Sequence, residues 1–414
     1  MSQNKLSIGL FGFGCVGKGI YDLLQTDHTI ASIKKIVVKS SDKKRPLNTP
    51  ILSFDPNDIL NDPEINLVIE LIDDAKAAFT IVTSALKKGK AVISANKKMI
   101  AENFRELVHL QKKFKTPFLY EASCGASIPV IRNLEEYYKC CTLQSIEGIV
   151  NSSTNFILSR ALEQNSSFQI ALKEAQELGY AESDPSLDTE GLDAAYKLSI
   201  LTSHAFGKCL DATAIFRVGI NQLRDIDFEY ARREKYKIKL VAFNVLSKEG
   251  KLCGVVAPKF IPPHHPFYQV DDVLNGVLTK AAHGDVQFFS GKGAGALPTA
   301  SAVLSDIAAL YHNYTYSYIK FFSDHIPLLE NSFYLNIFIS FPIEKREILQ
   351  YRFLSIDESF SNQQVGYITG VISIKELWKL KCTYDDISII IFDLHHEDIE
   401  ENESREWAFE LQNV

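Results

Sequence analysis

The 414-residue sequence has little of what a membrane protein, a nucleic-acid-binding protein or a disulfide-stabilised protein requires. No apolar run reaches the ~18 residues that a membrane span needs. The net charge of −7 argues against a broad basic surface for nucleic acid or anionic lipid. The seven cysteines are scattered, and no Cys pair stands near histidines at zinc spacing. Because no secretory signal precedes the first predicted strand, we expect a soluble cytoplasmic protein. The charge and the absence of long apolar runs predict that it has no nucleic-acid or membrane partner.

Short apolar runs alternate with helical stretches in the first part of the chain. Strands are predicted at residues 6–11, 36–38, 67–71 and 91–94, and helices at 16–25, 80–88 and 104–114. Strands that alternate with helices are typical of a parallel sheet with helices on both faces. The pattern therefore predicts an α/β fold with a Rossmann-type, doubly wound parallel sheet.

The pattern changes near residue 148. Helices are predicted at 155–164, 169–178, 192–206 and 297–310, and strands at 239–245 and 254–258. This mixture suits an α+β domain for substrate binding and dimerisation. Strands at 333–341, 366–372 and 387–393 predict a small C-terminal α+β module with an acidic tail at 397–406. We predict a first domain over 1–130 that also includes about 290–320, a second over 131–289 and a third over 331–414.

A glycine-rich turn joins the first predicted strand to the first predicted helix. The three glycines have the GxGxxG spacing of a dinucleotide-binding turn, in the setting that this fingerprint requires. The first glycine permits the tight turn, the second lets the backbone approach a pyrophosphate, and the third lets the helix pack on the strand. We expect six consecutive residues to contact the cofactor: Gly12, Phe13, Gly14, Cys15, Val16 and Gly17.

The residue that reads the adenosine ribose is expected after the second strand. An acidic residue there favours the 2′-hydroxyl of NAD, and a cation favours the 2′-phosphate of NADP. Lys39 stands at this position, and the basic cluster at 43–45 follows it. The pattern favours NADP, while Asp42 leaves NAD possible and a solvated basic loop is the structural alternative.

The chemistry is densest between residues 179 and 197. A loop with several carboxylates leads into a predicted helix that carries Asp193 and Lys197. The two are four residues apart and therefore share one helix face. An isolated pair of this kind is usually a surface feature, but the apolar neighbours predict a buried helix. A lysine on a desolvated helix beside carboxylates can transfer a proton, because its pKa is readily moved.

Five separated motifs, in order over residues 8–310, resemble those of the homoserine dehydrogenase family. The stretch 179–197 resembles the family's GY-x-E-PDP-x-x-D-x-x-G-x-D-x-A-x-K, with Ser183 in place of a proline. Residues 95–97 resemble its ANK segment, 120–129 its YEA-x-x-GA-x-x-P, 148–158 its GI-x-NGTTN-x-IL, and 291–306 its GPGAG-x-LPTA-SAV-x-SD. The family's bacterial type carries a C-terminal ACT domain, which is a small ligand-sensing module.

The resemblance implies an activity and a set of site residues. The family reversibly reduces L-aspartate 4-semialdehyde to L-homoserine with NAD(P)H, in threonine and methionine biosynthesis. Lys197 would transfer the proton, and Lys97 would lie near both the nicotinamide and the substrate. Glu182 would hold the substrate amino group, and the other implied substrate contacts are Asp188, Asp193, Tyr180 and Ser153. Beside Lys97, the implied cofactor contacts outside the glycine turn are Gly179, Gly293 and Gly295.

A monovalent cation, Na⁺ or K⁺, is also implied by the resemblance. Family members bind it chiefly through backbone carbonyls, and the matching residues here are Glu121, Cys124, Ala126 and Ile128. Cys124 has a second interpretation, because a cysteine nucleophile would suggest an acylating semialdehyde dehydrogenase. No histidine partner stands nearby, and a packed, inert thiol is the favoured interpretation.

The chain departs from the family in two places. Asp73 and Asp74 replace a glycine pair, which adds bulk and negative charge where the cofactor phosphates are expected. In the C-terminal module, residues 341–348 lack the glycine of the turn that binds an amino acid, so regulation by threonine is not expected. The leading hypothesis is an active homoserine dehydrogenase that forms a homodimer or homotetramer. The alternatives are a degenerate nucleotide-sensing paralogue and another semialdehyde oxidoreductase.

Overall fold

The computed structural model describes residues 5–26, 30–39, 49–247, 249–330 and 333–395. The basic cluster at 43–45, Asp42 and the predicted acidic tail at 397–406 lie outside these residues. No helix within the described ranges has both the length and the apolar character that a membrane crossing demands.

The strands of the described residues form two sheets. In chain order they are β1 (Leu6–Phe11), β2 (Ala31–Val37), β3 (Leu52–Ser53), β4 (Leu67–Glu70), β5 (Ala91–Ser94), β6 (Phe118–Leu119), β7 (Leu143–Ile149), β8 (Phe216–Arg217), β9 (Lys237–Leu246), β10 (Lys251–Ile261), β11 (Leu274–Ala281), β12 (Val286–Lys292), β13 (Leu328–Leu329), β14 (Tyr334–Pro342), β15 (Ser355–Ser361), β16 (Val365–Ser373) and β17 (Ser388–His395).

The α-helices lie between these strands. They are α1 (Cys15–Thr26), α2 (Asn57–Leu60), α3 (Ala75–Lys87), α4 (Lys97–Phe114), α5 (Val130–Glu136), α6 (Ser152–Glu163), α7 (Phe168–Glu177), α8 (Ser186–Thr189), α9 (Leu192–Phe206), α10 (Asp225–Arg233), α11 (Ala296–Tyr311), α12 (Arg346–Gln350) and α13 (Ile374–Thr383).

The first sheet is parallel and confirms the predicted Rossmann-type fold. Its order in the described residues is β3-β2-β1-β4-β5-β6, so the strand order reverses direction between β1 and β4. Ligands of open α/β sheets bind outside the carboxyl ends of the strands at such a switch point. The fold therefore indicates where a dinucleotide would lie, beyond the ends of β1 and β4.

Two helices of this part begin earlier than their apolar patterns predict. The third helix begins at Ala75 because Asp74 caps it, and the fourth begins at Lys97 because Asn96 caps it. A side-chain oxygen at the N-cap accepts bonds from the first free backbone amides and so fixes the start of a helix. The cap at Asn96 brings Lys97 to the edge of the sheet, beside the switch point.

The second sheet is mixed and runs through the rest of the chain. Its main path in the described residues is β12-β11-β7-β9-β10-β17-β14-β16-β15. The last four strands, with α12 and α13, form a βαββαβ module of the ferredoxin-like type. The module is continuous with the rest of the second sheet, because β17 pairs in parallel with β10 through Ile391 and Lys259. The predicted domain limits remain predictions.

The buried helix α9 has the bounds predicted from the sequence. It begins after Gly191 and ends before Gly207, which both have positive φ angles, of 78° and 71°. Every residue from Asp193 to Phe206 is buried. The helix thus carries Asp193 and Lys197 into the largest hydrophobic core rather than along the surface.

Candidate active site

A cavity of about 850 Å³ opens at the switch point of the first sheet. Its walls include the ends of β4 and β5, the start of α9 and the loop between β12 and α11. Twelve of the predicted site residues line it, and they come from several separate motifs. They are Cys15, Val16, Lys97, Cys124, Ala126, Ser153, Glu182, Asp188, Asp193, Lys197, Gly293 and Gly295. The structure therefore brings together residues that lie up to 280 positions apart in the sequence.

The glycine turn has the geometry that a dinucleotide requires. Gly12 has a φ of 92°, and a Cβ there would lie 2.5 Å from the carbonyl oxygen of Leu71. A Cβ at Gly17 would collide with the carbonyl oxygen of Gly12, whereas one at Gly14 would meet no atom within 4 Å. The open side at Gly14 leaves room for a pyrophosphate, and α1 begins at Cys15 with its amides directed there. The residues present fit a nicotinamide dinucleotide.

Asp193 lies between the two lysines of the site. Its Oδ1 is 2.7 Å from Lys97 Nζ, and its Oδ2 is 2.8 Å from Lys197 Nζ. Burial acts to raise the pKa of Asp193, but the charges of Lys197 and Lys97 hold it well below its usual range. The charge of Asp193 in turn raises the pKa of Lys97. A carboxylate therefore lies between the two lysines.

Lys197 has one proton left for a ligand. It is 9% exposed, and its Nζ donates to the carbonyl oxygen of Val150 at 2.6 Å and to Asp193 at 2.8 Å. A lysine ammonium carries three protons. Two are used by these acceptors, and the third can be donated to a group in the cavity.

Asn151 is a site residue that the sequence motifs did not single out. Its Nδ2 donates to Asp188 Oδ1 at 2.7 Å and to Asp193 Oδ2 at 2.8 Å. Its Oδ1 accepts from the Thr154 backbone amide at 2.8 Å and so caps α6. The side chain therefore joins two carboxylates of the cavity while it fixes the helix that carries Ser153. The available signal was its defined position in the 148–158 motif, for which no role was predicted.

Nine predicted site residues do not line the cavity: Gly12, Phe13, Gly14, Gly17, Lys39, Glu121, Ile128, Gly179 and Tyr180. Tyr180 is 45% exposed, and its ring packs on Phe156 with a centroid distance of 4.8 Å. Gly179 has a φ of 76° and lies in the turn after α7, where Tyr180 N donates to Ala175 O. Gly179 and Tyr180 therefore shape the start of the loop that carries Glu182, but they do not reach the cavity wall.

The glycine loop before α11 closes one side of the cavity. A Cβ at Gly293 would collide with the side-chain amide of Asn275. Gly295 has a φ of 116° and stands immediately before α11. Both positions need glycine, and both line the cavity as predicted.

The segment of the predicted cation site is buried. Glu121 is 1% exposed, and its carboxylate accepts from the backbone amides of Ile131 and Arg132 at 2.8 and 2.9 Å. Cys124, Ala126 and Ile128 are also buried. No group of three or more His, Cys, Asp or Glu side chains suited to a metal occurs in the described residues. A site built from backbone carbonyls leaves no such group, so the cation stays a prediction.

Cys124 is an inert thiol rather than a nucleophile. Burial raises its pKa to about 12, and its Sγ lies 3.9 Å from the carbonyl oxygen of Lys197. Since the thiolate is the nucleophilic form, a cysteine with this pKa is unreactive near neutral pH. The structure thus contradicts the acylating alternative.

The two aspartates that replace the glycine pair have different surroundings. Asp73 is exposed and lines the cavity. Asp74 accepts from the backbone amides of Lys76 and Ala77, each at 3.0 Å, and caps α3. Of the two, only Asp73 lines the cavity, whereas Asp74 stands outside it at the start of α3. Lys39 is exposed and does not line it.

A glycine turn of this geometry beside a lysine–aspartate–lysine group defines a nicotinamide-dependent oxidoreductase. Comparison with known proteins identifies the family. The model described as "Homoserine dehydrogenase, NAD binding domain" matches residues 12–121, and the model described as "Homoserine dehydrogenase" matches residues 129–308. The chain belongs to the homoserine dehydrogenase family, as the sequence motifs predicted.

Relatives and solved structures agree with this assignment. The homoserine dehydrogenase of Bacillus subtilis is 35% identical over 75% of this chain and 74% of its own length. That of Synechocystis is 38% identical over 73% and 72%. The crystal structure of a homoserine dehydrogenase from Thiobacillus denitrificans has a TM-score of 0.83 and 30% identity, and it covers 95% of this chain and 98% of that one. The structure of a hyperthermophilic archaeal homoserine dehydrogenase mutant in complex with NADPH has a TM-score of 0.65 and 26% identity. It covers 76% of this chain and 100% of that one.

Proposed function

We propose that this homoserine dehydrogenase reduces L-aspartate 4-semialdehyde to L-homoserine, reversibly, with Lys197 as the proton donor. The observation that carries the assignment is the bonding of Lys197 Nζ. Val150 and Asp193 accept hydrogen bonds from two of its protons, which leaves the third for an acceptor in the cavity. An aldehyde oxygen within reach of that proton would be held in a fixed position.

The reduced nicotinamide, when bound, supplies a hydride to the aldehyde carbon. The carbonyl oxygen then takes the C=O electron pair, becomes an alkoxide and accepts the proton from Lys197. Lys97 contributes a second positive charge near the developing alkoxide, which stabilises it in a partly water-excluded site. In the reverse direction, Lys197 removes the hydroxyl proton of homoserine. Proton transfer by a positioned side chain contributes about 10²- to 10⁴-fold to a rate.

The remaining polar groups of the cavity suit an amino acid. Glu182, Asp188 and Ser153 line the cavity near the lysine pair. We propose that Glu182 binds the substrate amino group and that Asp188 and Ser153 line its path. Tyr180 acts through its packing on Phe156, which supports the loop that carries Glu182.

We further propose that the cofactor is NADP, with NAD as the weaker alternative, because Lys39 follows β2. Glu121, Cys124, Ala126 and Ile128 would supply carbonyl ligands to Na⁺ or K⁺. The enzyme would act in the cytoplasm, in threonine and methionine biosynthesis, as a homodimer or homotetramer. The exposed Val286 and Phe288 on the edge strand β12 support an association surface. The C-terminal ACT-like module would not bind threonine.

Homoserine-dependent reduction of NADP⁺ and NAD⁺ tests this proposal. We expect reduction of both, with NADP⁺ preferred, and no response to added threonine. Binding of nicotinamides without any turnover of homoserine would favour the degenerate paralogue. Turnover of a different amino-acid semialdehyde would favour the other oxidoreductase alternative.

A further inference from the structure

The cofactor-reading edge of the first sheet carries charges of both signs. The ends of β2, β1 and β4 are adjacent, because Gly12 N donates to Val37 O at 3.0 Å and Leu71 N donates to Phe11 O at 2.9 Å. Lys39 follows β2 by two residues, and Asp74 follows β4 by four. The lysine expected to read a 2′-phosphate and the aspartate therefore stand at the same edge, on either side of the glycine turn.

Asp74 is fixed in place by its role as a cap. Its side chain accepts from Lys76 N and Ala77 N, each at 3.0 Å, so the carboxylate cannot turn away from the start of α3. The amides of Ala77 and Lys76 lower the pKa of Asp74, and the charge of Lys39 adds to this shift. The Asp74 carboxylate therefore stays charged at neutral pH within electrostatic reach of Lys39.

We propose that Asp74 is a specificity-determining residue whose charge weakens the attraction of Lys39 for the 2′-phosphate of NADP. This inference rests on the proposed function only in taking a nicotinamide dinucleotide as the ligand. NADP carries a phosphate dianion that NAD lacks, so an anion beside Lys39 opposes NADP more than NAD. The enzyme would discriminate between the two cofactors less strongly than Lys39 alone would achieve.

Asp74→Asn tests the charge without removing the cap, because asparagine caps helices about as well as aspartate. Affinities for NADPH and NADH would be measured directly, from the fluorescence of each bound nicotinamide. Exposed charge pairs contribute modestly, so we expect NADPH to bind about two- to fivefold more tightly, with NADH nearly unchanged. The gain should shrink as ionic strength rises.

Two further variants make the result specific. In a Lys39→Gln background, Asp74→Asn should change the ratio of NADPH to NADH affinity by less than half as much as in the wild type. Asp73→Asn, one residue away on the cavity wall, should change both affinities by a similar factor. An unchanged ratio in Asp74→Asn, or an equal effect without Lys39, would overturn the inference while the proposed function stands. Failure of every variant to bind either cofactor would overturn both.

Discussion

Asp193 and Lys197 lie one helical turn apart on α9, and Lys197 Nζ donates to Asp193 Oδ2 at 2.8 Å within the core. An exposed ion pair of this kind contributes little to the free energy of unfolding. Here both groups are buried, and Lys97 and Asn151 bind the same carboxylate. Breaking a buried, hydrogen-bonded charge pair is costly, because the remaining charge is left without a partner. The arrangement therefore holds Lys197 in one orientation.

Removal of the proton donor should slow turnover strongly without loss of cofactor binding. We expect Lys197→Ala to lower kcat by about 10²- to 10⁴-fold, because the alkoxide then lacks a positioned proton. NADPH affinity, measured by fluorescence, should stay close to that of the wild type. Lys173→Ala, on the exposed face of α7, serves as the control. A Lys197→Ala variant with near-normal turnover would refute the role of this residue.

Asn151 is expected to act as a positioning residue. Asn151→Ser keeps an oxygen for the cap of α6, but its single short hydroxyl cannot donate to both Asp188 and Asp193. Its kcat/KM should fall by about 10- to 100-fold, since a misplaced site group costs rate even when it does not react. Thermal unfolding should show a smaller loss than in Asn151→Ala, which also loses the cap at about 1 kcal/mol. A parallel loss of activity and stability in both variants would indicate a purely structural role.

Glu70 should make the stability of the protein depend on pH. It is fully buried at the end of β4, accepts bonds from Ser94 Oγ and Ile72 N, and burial raises its pKa to about 7 from an ordinary 4.5. Because the folded-state pKa is the higher one, its contribution to stability falls as pH rises from about 4.5 to about 7. Glu70→Gln should therefore raise Tm relative to the wild type more at about pH 8 than at about pH 5. An equal difference in Tm between Glu70→Gln and the wild type at both pH values would contradict this account.

Cys124 should be dispensable for chemistry. A thiol with a pKa of about 12 does not supply a nucleophile near neutral pH. We expect Cys124→Ala to keep kcat within about fivefold, with the loss due to the small cavity that it leaves. Alkylating reagents should inactivate Cys124→Ala at the same rate as the wild type, because the exposed Cys15 of the glycine turn reacts in both. Complete inactivation of Cys124→Ala with an intact fold would revive the acylating mechanism.

The sequence predicts elements best where local patterns and end signals agree. The bounds of α9 follow from a continuous apolar run between Gly191 and Gly207, and they match the structure. The starts of α3 and α4 were missed, because the caps Asp74 and Asn96 precede the amphipathic pattern by several residues. Strand β15 gave no signal, since nearly all of its residues are exposed and no alternation of apolar and polar residues results.

Motifs in the sequence identified which residues belong to the site, but the contacts between those residues could not be predicted, because they depend on the fold. Lys97, Asp193 and Lys197 were identified from motifs, and the structure brings them within hydrogen-bond distance. The position of Asp193 between the lysines could not be predicted, because it depends on the packing of α4 against α9. Asn151 was missed because its bridge between two carboxylates exists only in the fold, and its cap lies four residues before the start of the predicted helix.

The central claim is that the hydride is delivered to the aldehyde carbon of aspartate 4-semialdehyde. Incubation of the semialdehyde with NADPH or NADH that carries deuterium at both C4 positions of the nicotinamide, followed by mass spectrometry of the product, tests it most directly. The account predicts homoserine with one deuterium on the carbon that bears the hydroxyl group, formed at least about 100-fold more slowly by Lys197→Ala. Unlabelled homoserine, or no homoserine from the wild-type enzyme, would contradict it.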